Sequence, residues 1–190
     1  MTREEWFEQA IDRVQSGLDM ASLNIPQAIP PKAVRVSCGW PSRRATARKN
    51  RRLGECWPFD STPDGIPQIF ISPAEKDSAK VLGILVHELG HAYFKKGTGH
   101  RSVWKKLMAE VGYEYPANAP GPVLAERLNA VVAELGEYPH EALDPNTTQK
   151  KQTTRLRLWV CRCAPPVRVR VASDEFQAKC LICGDEFEAV

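Results

Sequence analysis

Five consecutive residues, His87-Glu88-Leu89-Gly90-His91, constrain the fold of this chain more than any other feature. They lie among Val81, Leu82, Ile84, Leu85, Val86, Leu89, Ala92 and Tyr93, apolar side chains that cover nearly the whole circumference of a helix. The sequence therefore predicts a helix from about Asp77 or Ser78 to Lys96, buried on most sides, with Ser78 as N-cap and Gly97 as its stop. Three titratable side chains on such a helix are costly to bury unless a metal or hydrogen bonds satisfy them. Residues four apart share a helix face, so both imidazoles reach one metal ion from the same side. Glu88 sits about a third of the circumference away. That is too far round for a third ligand, yet close enough to hold a metal-bound water, take its proton and hand it to a leaving amine. Zinc suits neutral imidazole nitrogens and keeps an open position for water.

A catalytic zinc needs a third protein ligand. His100 is the first candidate, because Gly97 and Gly99 allow the chain to end the helix and turn back toward the metal. Glu110, on the following helix, is the alternative. His140 lies in a proline-flanked polar stretch and reads as a solvated surface histidine.

A second constraint comes from Cys161-Arg-Cys163 and Cys180-Leu-Ile-Cys183-Gly184, separated by a β-like run from Val167 to Val171. Two cysteine pairs at the turns of a hairpin supply four thiolates in tetrahedral array, the arrangement of a structural zinc ribbon. So short a segment hardly buries enough core to fold alone, which calls for a metal staple. Two disulfides or four buried thiols are the alternatives. Cys38 and Cys56 sit singly beside strands and read as core.

The remaining chain supplies a frame for these sites. Trp6, Phe7, Ala10, Ile11, Val14 and Leu18 have the spacing of an amphipathic helix over residues 4–20. Residues 33–38, 54–57 and 68–72 read as strands joined by hairpin-sized connections, suggesting a small antiparallel sheet. Further helices are expected at 102–111 and 123–137, then a polar linker over 144–154. Beyond it lie β-like runs at 156–160, 167–171 and 176–179.

At 43% hydrophobic and 26% charged residues the chain is ordinary globular material. Its longest apolar run, Val81 to Val86, is far too short to span a bilayer, and its N-terminus is acidic where a signal peptide is basic. These features predict no membrane partner and a cytoplasmic protein, nucleoid-associated if bacterial. The net charge of +3 conceals segregation. Arg43, Arg44, Arg48, Lys49, Arg51 and Arg52 form one basic stretch; Lys150, Lys151, Arg155, Arg157, Arg162, Arg168 and Arg170 form another, and neither contains an acid. Setting those 13 residues aside leaves 13 basic against 23 acidic, or −10. Such segregation predicts an anionic partner, with DNA bound in a sequence-tolerant, salt-sensitive way. Trp40 and Trp57, or Trp159, are placed to stack on bases of single strands.

Taken in order, the zinc helix, Gly99-His100 with the helix after it, and Trp159-Val-Cys161-Arg-Cys163 with Cys180-Leu-Ile-Cys183 resemble the SprT-like (Spartan-related) zinc metallopeptidases. The resemblance covers roughly residues 65–115 and 156–190. It implies an α+β chain: a zincin-like metallopeptidase domain over residues 1–150, then a four-cysteine zinc ribbon over 151–190. By resemblance His87, His91 and His100 hold the catalytic zinc, Glu88 is the base and a second zinc is structural. Proteins of this kind cut proteins held on or crosslinked to DNA. Two other functions remain open: a DNA-binding ribbon module on a non-catalytic scaffold, and a protease acting on one regulatory partner without DNA.

Overall fold

The computed structural model describes residues 1–20, 22–115, 119–145, 147 and 156–190. The chain divides into two compact units, Met1–Thr147 and Thr148–Val190. Its described residues mix α and β structure, with four α-helices and small sheets. Among them no helix is long and apolar enough to cross a membrane.

Helix α1 (Arg3–Leu18) begins at a reciprocal cap. The Glu5 amide donates to the Thr2 hydroxyl, and the Thr2 amide donates to the Glu5 carboxylate, which satisfies two otherwise orphaned donors. Trp6, Phe7, Ala10, Ile11 and Val14 fall on one face and are buried. The indole N–H of Trp6 donates to Gly136 O at 3.0 Å, so even this core ring has its polar atom satisfied.

Strands β1 (Arg35–Cys38), β2 (Gly54–Trp57) and β3 (Gln68–Ile71) form one sheet in the order β1-β3-β2. The sheet is mixed, which corrects the antiparallel expectation: β1 runs parallel to β3, and β2 antiparallel to it. Hairpin logic fails because residues 39–53, the segment with the arginine-rich stretch, carry the chain past the central position before β2 begins. The centre is taken by β3, whose Ile69 and Ile71 are wholly buried. A strand covered from both sides removes the most apolar surface from water.

Helix α2 (Ser78–Ala92) packs on β2, β3 and α4 (Pro122–Leu135), the last starting with proline in the first turn. Between them lie α3 (Ser102–Glu110) and a two-stranded ribbon, β4 (Tyr113–Glu114) with β5 (Ala119–Pro120). Cys38 and Cys56 pack against the core.

The second unit is a three-stranded antiparallel sheet, β7 (Arg168–Val171), β6 (Arg157–Val160) and β8 (Glu188–Ala189), in the order β7-β6-β8. The strand expected at 176–179 is reduced to a single bridge between Lys179 and Glu186. Phe176 instead packs its ring near Trp159 and Phe187, at centroid distances of 5.5 and 6.1 Å. The third strand, β8, comes from the chain's last residues.

Candidate functional site

Asp77, not Ser78, caps α2: its carboxylate accepts from the Lys80 amide at 2.9 Å. Ser78 is buried, and its hydroxyl donates to the Glu137 carboxylate while accepting from the Tyr138 amide at 2.9 Å. Helix α2 stops at Ala92, one turn before the expected end. The Lys96 amide then rests on both oxygens of Asp60, at 2.9 and 3.0 Å. Gly97 and Gly99, at φ of +85° and +52°, turn the chain back in the region open chiefly to glycine.

That turn brings His100 to the two helical histidines. Its Nε2 lies 3.1 Å from His91 Nε2 and 3.1 Å from His87 Nε2. One neutral imidazole N–H serves only one of those contacts, whereas a cation takes all three lone pairs at once. Tetrahedral zinc, with Zn–N of about 2.0–2.1 Å, sets its nitrogens about 3.3 Å apart, so the residues fit the ion. Burial first, then nearby positive groups, pushes His87 down to about 4 and His91 to about 3, and lowers His100. All three are held in the neutral form that ligates. Glu110 is exposed at the end of α3 and outside this group.

Two further residues shape the group that the sequence reading did not assign. The Trp104 ring, on α3, stacks on His91 at 4.7 Å and 17° and lies 4.8 and 4.4 Å from the rings of His87 and His100. Gly90 makes that approach possible, since a Cβ there would meet Met108 Sδ and come 3.1 Å from Trp104 Nε1. The i, i+4 spacing from His100 to Trp104 was the available signal.

Glu88 is buried on the wall of the same cleft, 7% exposed. Burial raises its carboxyl to about 8, against the opposing pull of Arg52. A divalent cation nearby favours the charged form and draws that value down. β2 leaves room for this side chain through Gly54, where a Cβ would lie 2.7 Å from Glu88 Oε1. The cleft holds about 560 Å³. Apart from the histidines and Glu88, its ionisable walls include Arg51, Arg52, Lys95 and Lys96.

The first basic stretch is a loop tied down by Glu55, a buried acid that the sequence reading missed. Its carboxylate accepts from the Ser42 amide, the Ser42 hydroxyl and the Arg52 guanidinium, each at 2.7 Å. Burial works against its charge, but the Ser42 hydrogen bonds and the Arg52 charge outweigh it and hold the carboxyl below its usual range. Arg52 is thus already paired. Arg43, Arg44, Arg48 and Lys49 are exposed, Arg51 is half-buried, and none of the five is ion-paired among the described residues. Arg157 lies 3.4 Å from Asp174 and donates to Ala172 O at 3.0 Å. Lys150, Lys151 and Arg155 lie outside the described residues. His140 is not a solvated histidine: it is half-buried, with Nε2 2.9 Å from Pro73 O and Nδ1 3.3 Å from the Arg3 guanidinium.

In the second unit Cys161, Cys163, Cys180 and Cys183 bring their sulfurs within 4.8 Å of one another. The Cys163–Cys180 distance, 3.8 Å, matches the edge of about 3.8 Å expected for zinc with Zn–S of about 2.3 Å. The Val167 amide donates to Cys161 Sγ at 3.3 Å. Backbone amides of Cys183 and Ile182 lower the Cys180 thiol to about 7. Gly184, at φ +76°, makes the turn that follows. Among the described residues of this unit only Cys161 and Cys180 are buried, so its two most buried side chains are candidate ligands.

Comparison with protein-family models, curated proteins and solved structures returns no match.

Proposed function

We propose that the chain is a zinc-dependent endopeptidase of the SprT-like kind, acting on proteins associated with or crosslinked to DNA. One observation carries the reading: three imidazoles converge beside a buried glutamate on the wall of one cleft. Zinc bound there supplies a Lewis acid that activates water and polarises a scissile carbonyl. His87, His91 and His100 would hold the ion, since the Nε2 atoms of His87 and His91 each lie 3.1 Å from that of His100. Glu88 takes the proton from the attacking water and returns it to the departing amine. A scaffold without activity has no need of a buried Glu88, because ligation requires only the histidines.

The four cysteines hold a second, structural zinc in this reading, giving the small unit the core it otherwise lacks. DNA is the partner that the basic loop favours, since Arg43, Arg44, Arg48 and Lys49 stand exposed without acidic partners among the described residues. Such contacts weaken as salt rises and carry no base reading.

Cleavage of a DNA-bound protein, assayed beside zinc content, tests the function. Wild type is expected to carry two zinc ions per chain and to cut; Glu88→Gln should keep both ions and lose cutting. Equal cutting by the two proteins would remove the enzyme.

A further inference from the structure

The outer face of the first sheet carries a groove that peptide cleavage leaves unused. Strand alternation produces it. Ile69 and Ile71 of β3 point into the core and Gly54 of β2 packs on Glu88, so Phe70, Glu55 and Trp57 take the opposite face. Trp57 and Phe70 are diagonal neighbours, with Phe70 opposite Glu55 and Trp57 opposite Gln68. At Gly39 a Cβ would come 3.0 Å from the Phe70 ring; the missing side chain lets the backbone pass close over it, and Trp40 follows. The three aromatic rings line an open groove of about 380 Å³. Trp40 and Trp57 are each 39% exposed. Both indoles thus present part of a flat face to this groove.

Positive charge continues from this groove. Trp57 also borders a depression of about 330 Å³ that contains Arg43, Arg52 and Lys96. Lys96 Nζ sits 5.7 Å from the centroid of the Trp57 ring. Arg52 and Lys96 border the catalytic cleft as well. Two acids lie close by: Glu55 is engaged by Ser42 and Arg52, and Asp60 accepts the Lys96 amide with both oxygens.

We propose that this groove binds single-stranded nucleic acid, with bases stacked on Trp40 and Trp57 and neighbouring phosphates held by Arg43 and Lys96. The proposal rests on the nucleic-acid partner of the functional reading and places it on the sheet of the first unit. Flat faces beside cations match a chain that alternates bases with phosphates. An acidic peptide supplies charge but few planar rings, and duplex bases are already stacked on one another. Stacking tolerates any sequence, because every base has a π-face. A strand lying here runs beside the cleft, so a protein attached to it is presented to Glu88.

Fluorescence anisotropy with the full, zinc-loaded chain tests this, using labelled oligo-dT, oligo-U and a duplex, with polyglutamate as competitor. The single strands should bind tighter than the duplex, and whichever of the two binds better identifies the natural strand. Trp40→Ala and Trp57→Ala should each weaken binding about fivefold or more, while the Phe variants retain most of it. Arg43→Ala should lower the salt slope of log K by about 1. Zinc content, and cleavage of a free peptide by the two Trp variants, should stay at wild-type levels. Wild-type binding by both Ala variants would overturn the site, as would equal duplex binding or displacement by polyglutamate at matched charge. If no strand binds at all, the partner falls with the site, while the separate peptide assay still judges the peptidase.

Discussion

Gly54→Ala isolates Glu88 from the metal. The backbone at Gly54 accepts any residue, since its φ lies outside the left-handed region; the obstacle is space alone. An added Cβ would sit 2.6 Å from Ile84 Cγ2, 2.7 Å from Glu88 Oε1 and 2.8 Å from Glu88 Cγ, whereas ordinary contact begins at 3.4 Å. The carboxylate must therefore retreat by about 0.7 Å, through atoms that are already packed. Overpacking of this size costs about 1–3 kcal/mol of stability, which a domain with this core should survive. Its effect on rate should be larger in proportion. A misplacement near 1 Å can cost about 100-fold, so a loss of about 10- to 100-fold in kcat is expected, or about 1.4–2.7 kcal/mol of barrier. The three atoms nearest the new methyl group belong to Ile84 and Glu88 and none to a histidine, so zinc should remain at two ions per chain. Steady-state cleavage of a DNA-bound protein, with metal analysis and a thermal midpoint on the same samples, measures all three quantities. A folded, fully loaded Gly54→Ala protein with the wild-type kcat would refute the role given to Glu88 and to the space that β2 leaves for it.

Trp104→Ala removes the ring that touches all three imidazoles; zinc affinity should fall about 10- to 100-fold, less for Trp104→Phe, and unchanged affinity in a chelator competition would contradict this. Cys180→Ser should release one zinc and abolish hydrogen-exchange protection in β6, β7 and β8 while leaving α1 to α4 protected; protection of both units would mean that the small unit folds without its metal. Glu55 has a lowered carboxyl, so its stabilisation is fully present above the ordinary value of 4.5 and is lost as pH falls through the lowered one. The difference in thermal midpoint between wild type and Glu55→Gln should therefore be constant above that range and close below it, whereas a pH-independent difference would exclude the Ser42–Glu55–Arg52 anchor.

Short-range order was legible in the sequence because it depends on side chains only a few positions apart. The spacing of His87, Glu88 and His91, the amphipathic face of α1, the glycines ahead of His100 and the two cysteine pairs each express a local geometry, a helical turn or a tight loop, that holds wherever the segment lies. Features set by which segment lies beside which were not legible. The order β1-β3-β2 depends on β3 having the most apolar surface to bury and on a long loop that lets β1 pair parallel to it. Glu55 and Ser42 are 13 residues apart, and Trp104 meets His87 only after two glycine turns reverse the chain. His100, already expected from Gly97 and Gly99, joins the other two histidines through the same reversal, while α3 leaves Glu110 exposed at its far end. The sequence by itself thus determined the ligand chemistry, through residue type and local spacing. Tertiary structure decided which groups converge on it, since burial selects partners by the water they exclude and not by their distance along the chain.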